Sequence, residues 1–136
     1  LSVREKYGIA YTIESSYAMY GGTGIFSIYL GTDEEKIKRA TRLVRKELEK
    51  LIVKPISEST LSKAKHKFKG QIALAEENRM SVIIAETKNM LDYNKIITLD
   101  DVFQKLDAVT AANVHEVATE LFAADRMSSL SFAPED

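Results

Sequence analysis

Only two histidines, His66 and His115, occur among the 136 residues, and there is no cysteine. His66 stands between Lys65 and Lys67, and neither histidine has a second one at helical spacing. A lone imidazole supplies one metal bond, so this arrangement supports no zinc site, and both histidines read as residues of polar helix faces. The acidic pair Glu76-Glu77 suits a helix surface and has no partner ligands. Gly21-Gly22-Thr23-Gly24 has the glycine content of a phosphate cradle. It lies between two strand-like runs, however, rather than between a strand and a helix, and is a hairpin turn. No serine sits in a nucleophile-elbow pattern. On residue chemistry alone, the chain holds no catalytic constellation.

The elements that would position any site begin with one stretch, Arg4 to Thr32. Apolar residues alternate at Ile9, Tyr11 and Ile13, then at Tyr17 and Met19. After Gly21-Gly22, the run Ile25 to Leu30 is rich in aromatic and β-branched residues. Two such runs joined by Gly-Gly predict a β-hairpin, because glycine accepts the positive φ of tight hairpin turns. The second run is largely apolar on both faces, which predicts an inner strand with little solvent on either side. Before it, Leu1 to Lys6 reads as the last turn of a helix closed by Gly8. The start at Leu1 rather than at a methionine predicts a natural N-terminus elsewhere.

Helices follow, laid against the hairpin. Thr32 with Glu35 predicts a capping box for a helix whose apolar positions are Ile37, Ala40, Val44, Leu48 and Leu51. Its dense Lys, Arg and Glu complement reads as a solvated face. Pro55 ends it, and Ser57 caps the next, with the stripe Leu61, Ala64, Phe68, Ile72 and Ala75. Met80, Ile83, Ile84, Met90 and Leu91 continue the pattern after a break near Asn78, and Asp92 to Asn94 reads as a turn. Thr98 with Asp101 predicts a second capping box. Thr110 caps a last helix with the stripe Val114, Val117, Ala118, Leu121 and Phe122. Met127 to Ala133, alternating Leu130 and Phe132 against serines, predicts a short final strand. The order predicts an α+β fold: a small antiparallel sheet, hairpin plus C-terminal strand, packed on one face by several helices.

Composition narrows the partners. Nineteen basic residues against twenty acidic ones leave a net charge of −1, without the basic excess that nucleic-acid binding calls for. Without cysteine there is no disulfide framework and no thiolate metal site. No stretch is long and apolar enough to span a bilayer.

A resemblance adds what residue chemistry alone does not supply. Arg4-Glu5-Lys6-Tyr7-Gly8-Ile9-Ala10-Tyr11 resembles the R-E-K-x-G-[LI]-A-Y signature of insulinase/pitrilysin-type zinc peptidases, the inverzincins that include mitochondrial-processing-peptidase-like proteins. The signature belongs to their C-terminal, non-zinc-binding domain. The similarity continues in order through Gly24 to Asp33, Val44 to Leu51, Ile56-Ser57-Glu58, Ala64-Lys65, Lys69-Gly70-Gln71 and Leu106 to Thr110. It covers essentially the whole chain, read as a single partial domain, residues 1–136, the later part of that domain. Tyr7 departs from the pattern, at a position often basic or aliphatic in relatives.

The resemblance implies a division of labour. In this family two similar domains face each other across a closed chamber, and the N-terminal one binds zinc through H-x-x-E-H and a distal Glu, with the general base in the same motif. That motif is absent here, so zinc would belong to a partner domain or subunit, and this chain would bind the peptide substrate. The family's Arg and Tyr that reach across to the substrate correspond to Arg4 and Tyr11. A phenol, with a pKa of about 10, can donate a hydrogen bond to the oxyanion forming on the scissile carbonyl. A guanidinium, always charged, can hold a substrate carbonyl or carboxylate in fixed geometry. The alternative is a structural core subunit or catalytically dead relative of the same superfamily; retention of both Arg4 and Tyr11 favours the peptidase. Self-association of the chain through sheet edges or faces left without neighbours is also expected.

Overall fold

A computed structural model describes residues 8–20 and 22–132. Strands β1 (Thr12–Tyr20) and β2 (Thr23–Gly31) lead through a 3-10 turn (Glu34–Lys36) to α1 (Ile37–Val53), α2 (Glu58–Ala75), α3 (Arg79–Tyr93), α4 (Leu99–Ala108) and α5 (Ala111–Leu121). The architecture is α+β, with a two-stranded antiparallel sheet and five helices among the described residues. None of these helices is long and apolar enough to cross a membrane. The chain forms two compact units, one of residues up to Lys54 with those from Glu116 onward, the other Pro55–His115.

In the first unit the hairpin register sets Tyr20 opposite Thr23 and Thr12 opposite Gly31. Gly22 has a φ of +95°, the region a tight turn demands and only glycine enters without strain. Gly8, at φ +58°, has the backbone of a helix-closing glycine; the expected turn Leu1–Lys6 lies outside the described residues. Pairing puts Ile13, Leu30, Ile28, Tyr17 and Phe26 on one face. There Phe26 meets Phe122 edge to face, with ring centroids 5.4 Å apart, a geometry that the ring quadrupoles favour. On α1 the predicted stripe is the less exposed side: Ala40 is fully buried, and Ile37, Val44, Leu48 and Leu51 are half-buried.

Two sheet expectations fail. β2 is not an inner strand: it pairs with β1 alone among the described residues, and Ile25 and Tyr29 are more than half exposed. Among the described residues the C-terminal strand is not formed either. Residues 127–132 pair with neither strand, and Leu130 and Phe132 stand in solvent. Alternation satisfies the side-chain pattern of a strand, but the ladder also needs a partner edge.

The caps are mixed. Ser57 accepts from the Thr60 N–H at 3.2 Å, Thr98 and Asp101 form the expected capping box, and Thr110 and Asn113 form a reciprocal pair. Asn78 breaks the long helical run and caps α3 by accepting from Ser81 N–H. The box expected at Thr32 does not form: Asp33 precedes the 3-10 turn, and the Thr32 hydroxyl donates to the Ile9 carbonyl at 2.5 Å.

The second unit departs furthest from its hydrophobic pattern. Leu61 is buried at 5% exposure, but the shielded face of α2 continues through Lys65, Lys69 and Ile72 rather than through Ala64 and Phe68. Lys65 Nζ donates to the Asp107 carbonyl at 2.8 Å, and Lys69 Nζ binds the Asp107 carboxylate at 2.7 Å. Lys69 also lies over the Phe103 ring, 5.2 Å from its centroid, so its stem and charge join α2 to α4. α3 is reversed. Val82, Glu86 and Asn89 form its less exposed face, while Met80, Ile83, Ile84 and Leu91 are at least 60% exposed. One Glu86 oxygen is shielded from water without a hydrogen-bond partner among the described residues.

Candidate functional site

The expected site lies at the open base of the hairpin. Arg4 is outside the described residues. Tyr11 precedes β1 in a bend rather than standing within the strand, as its place in the alternating run predicts. Its N–H nevertheless donates to the Gly31 carbonyl at 2.8 Å, extending the ladder by one bond. The Thr32 hydroxyl on the Ile9 carbonyl adds a second tie, and Ile9 and Ala10 are both buried. The backbone at Tyr11 is thus fixed on both sides, while its side chain is 67% exposed.

The phenol is engaged. Tyr11 O–H donates to one carboxylate oxygen of Asp33, and Lys36 Nζ donates to the other. The 3-10 turn makes this possible: the Lys36 N–H bonds back to the Asp33 carbonyl at 2.9 Å, which brings the lysine beside the aspartate. The electrostatics follow from the contacts. The hydrogen bond to Asp33, and then its negative charge, push the Tyr11 phenol above its ordinary range. The Lys36 hydrogen bond, with that from Tyr11, holds the Asp33 carboxyl below the usual carboxylate range. Asp33 in turn raises Lys36. The sequence reading missed Asp33 and Lys36: Asp33 stands 22 positions from Tyr11, beyond the end of β2, and no local spacing links the two.

The two histidines are not brought together as a site. His66 is exposed, with Nδ1 on the Ser62 carbonyl at 2.8 Å. His115 is half-buried rather than at the surface. A cleft of about 220 Å³ in the second unit is lined by Glu58, Leu61, Ser62, Lys65, His66, Lys69 and Asp107, and both of its lysines are bound to Asp107. Among the described residues, no group of three His, Asp or Glu is placed to hold a metal.

The family described as the peptidase M16 inactive domain matches residues 1–68. The uncharacterized zinc protease YmxG of Bacillus subtilis is 31% identical over 123 residues, covering 90% of this chain and 30% of that protein. An uncharacterized zinc protease of Rickettsia felis is 24% identical over 134 residues, 98% of this chain and 32% of that protein. The rat mitochondrial-processing peptidase subunit beta is 26% identical over 112 residues, 82% of this chain and 23% of the subunit. The chain spans about a third or less of the length of these relatives.

Proposed function

The chain belongs to the peptidase M16 inactive-domain family, and we propose that it is the substrate-binding, non-catalytic portion of a zinc metalloendopeptidase that acts on peptides in a closed chamber. The observation that carries this reading is Tyr11: a backbone pinned at the hairpin base presents an exposed phenol, inside the segment that the family matches. A phenol held on a fixed backbone can donate a hydrogen bond to the negative charge that develops on a scissile carbonyl. Tyr11 is the donor to the oxyanion, and Arg4 holds a substrate carbonyl or carboxylate. Residues 1–136 are one partial domain in this reading, and a zinc-binding N-terminal domain or subunit is its partner. The residues described here do not fit zinc, so the metal is assigned to that partner and no step of this chain passes through it.

The test is hydrolysis of a fluorogenic peptide by the chain alone and by the polypeptide that also carries the zinc-binding domain. Turnover is expected only from the latter, with the chain at background in added zinc. Zinc-dependent turnover by the chain alone, abolished by a chelator, would overturn the reading. Absence of turnover from both preparations would favour the structural-subunit alternative.

We also propose that the chain alone self-associates. Each hairpin strand has one edge unpaired among the described residues, and Tyr17, Met19, Ile25 and Tyr29 are more than half exposed. Unpaired N–H and C=O groups beside apolar side chains favour edge-to-edge or face-to-face pairing, most simply in a two-fold dimer. Light scattering over a wide concentration range should show mass rising toward that of a dimer. A monodisperse monomer throughout would contradict it.

A further inference from the structure

Tyr11 has a single proton to give. A phenol O–H that donates to one acceptor cannot donate fully to a second, and here the acceptor is Asp33. Any oxyanion approaching the phenol as it stands would meet lone pairs, with a carboxylate behind them. Donation to substrate therefore requires the Asp33 contact to open.

We propose that Asp33 is a positioning residue that holds the Tyr11 proton until negative charge develops on the substrate, with Lys36 setting how firmly it is held. The proposal rests on the reading of Tyr11 as the oxyanion donor. Three features support it. The backbone ties of Tyr11 to Gly31 and of Ile9 to Thr32 do not involve the phenol, so a change of acceptor needs only rotation of an exposed side chain. Both Asp33 oxygens are engaged, and Lys36 draws charge from the carboxylate and weakens it as an acceptor. Finally, a neutral substrate carbonyl is a poorer acceptor than a carboxylate, whereas a tetrahedral oxyanion is a far stronger one. The exchange is thus unfavourable with bound substrate and favourable in the transition state. A bond made only then lowers the barrier without tightening the ground state. No covalent step is involved; one hydrogen bond replaces another.

The test compares variants of the intact zinc-domain-containing polypeptide on a fluorogenic peptide. Asp33→Ala frees the phenol to bind the ground-state carbonyl, so KM should fall and kcat/KM rise, on the order of fivefold, as expected for one hydrogen bond no longer broken. Asp33→Asn, neutral and nearly isosteric, should act in the same direction and guards against misfolding of the alanine variant. Lys36→Met leaves Asp33 a stronger acceptor and should lower kcat/KM. All three effects should vanish in a Tyr11→Phe background. A second readout is independent of turnover: in ¹³Cζ-tyrosine-labelled protein, the resonance that Tyr11→Phe removes should titrate above the ordinary phenol range and return toward it in Asp33→Ala. A loss of kcat/KM in Asp33→Ala, or an unmoved Tyr11 titration, overturns the proposal. An unchanged kcat in Tyr11→Phe, with the Tyr11 resonance of the unsubstituted protein still titrating above the ordinary range, overturns the donor reading instead.

Discussion

If Tyr11 is the oxyanion donor of a zinc peptidase, as proposed, Tyr11→Phe in the polypeptide that carries the zinc-binding domain is expected to lower kcat by about 100- to 1000-fold, the usual cost of one such donor, and to leave KM within a few-fold. The substitution deletes one oxygen and keeps the ring. The ties that shape the hairpin base are the Tyr11 N–H to Gly31 and the Thr32 hydroxyl to Ile9, and neither uses the phenol oxygen. The fold should therefore be preserved. In the resting arrangement the phenol is bonded to Asp33, so on the proposed reading its bond to substrate is made only in the transition state, and the loss of such a bond appears in kcat rather than in KM. Steady-state kinetics on a fluorogenic peptide, with circular dichroism as a check on folding, measures both. An unchanged kcat would make Tyr11 a packing residue of the hairpin base.

Leu61→Ala destabilises the chain by about 3 kcal/mol, whereas Leu74→Ala on the same helix changes stability by no more than about 0.5 kcal/mol. Both residues are leucines of α2, and sequence alone gives no reason to separate them. Leu61 is 5% exposed and Leu74 is 68% exposed. Truncating the first removes buried methyl groups and leaves a cavity; truncating the second removes surface already in water. The effect is large because the core is thin: among the described residues, only Ile9, Ala10, Ala40, Leu61, Ala111 and Ala118 are buried, and Leu61 is one of the two large ones. Urea unfolding followed by circular dichroism tests the contrast. Equal losses for the two variants would show that the α2 face is wrongly assigned.

Local signals in the sequence determined the elements. Side-chain oxygens at Ser57 and Thr98 satisfy first-turn N–H groups whatever lies around them. Asn78 and Pro55 interrupt helices for reasons internal to the backbone, and Gly-Gly makes a turn wherever two strands meet it. The α1 stripe also held, since one shielded side against many charges leaves a helix a single way to face. The signature residues pointed to the family in the same local fashion.

Tertiary structure alone decided which faces are covered and where polar groups end. Thr32 reads as a cap because Glu35 follows three residues later, but the hairpin brings the Ile9 carbonyl within reach of its hydroxyl, and that acceptor wins. Lys65 and Lys69 lie outside the apolar stripe expected of α2, and it is α4 that places Asp107 against them. The apolar side of α3 reads as core, yet it is the exposed side, because periodicity specifies that a helix has an apolar face and not that a neighbour lies against it. Residues 127–132 alternate like a strand and find no edge among the described residues. At the candidate site the division is the same: the motif singles out Tyr11, but its proton's destination depends on a residue 22 positions away. Hydrogen bonds across such separations are fixed by how the chain folds back, which no local spacing encodes.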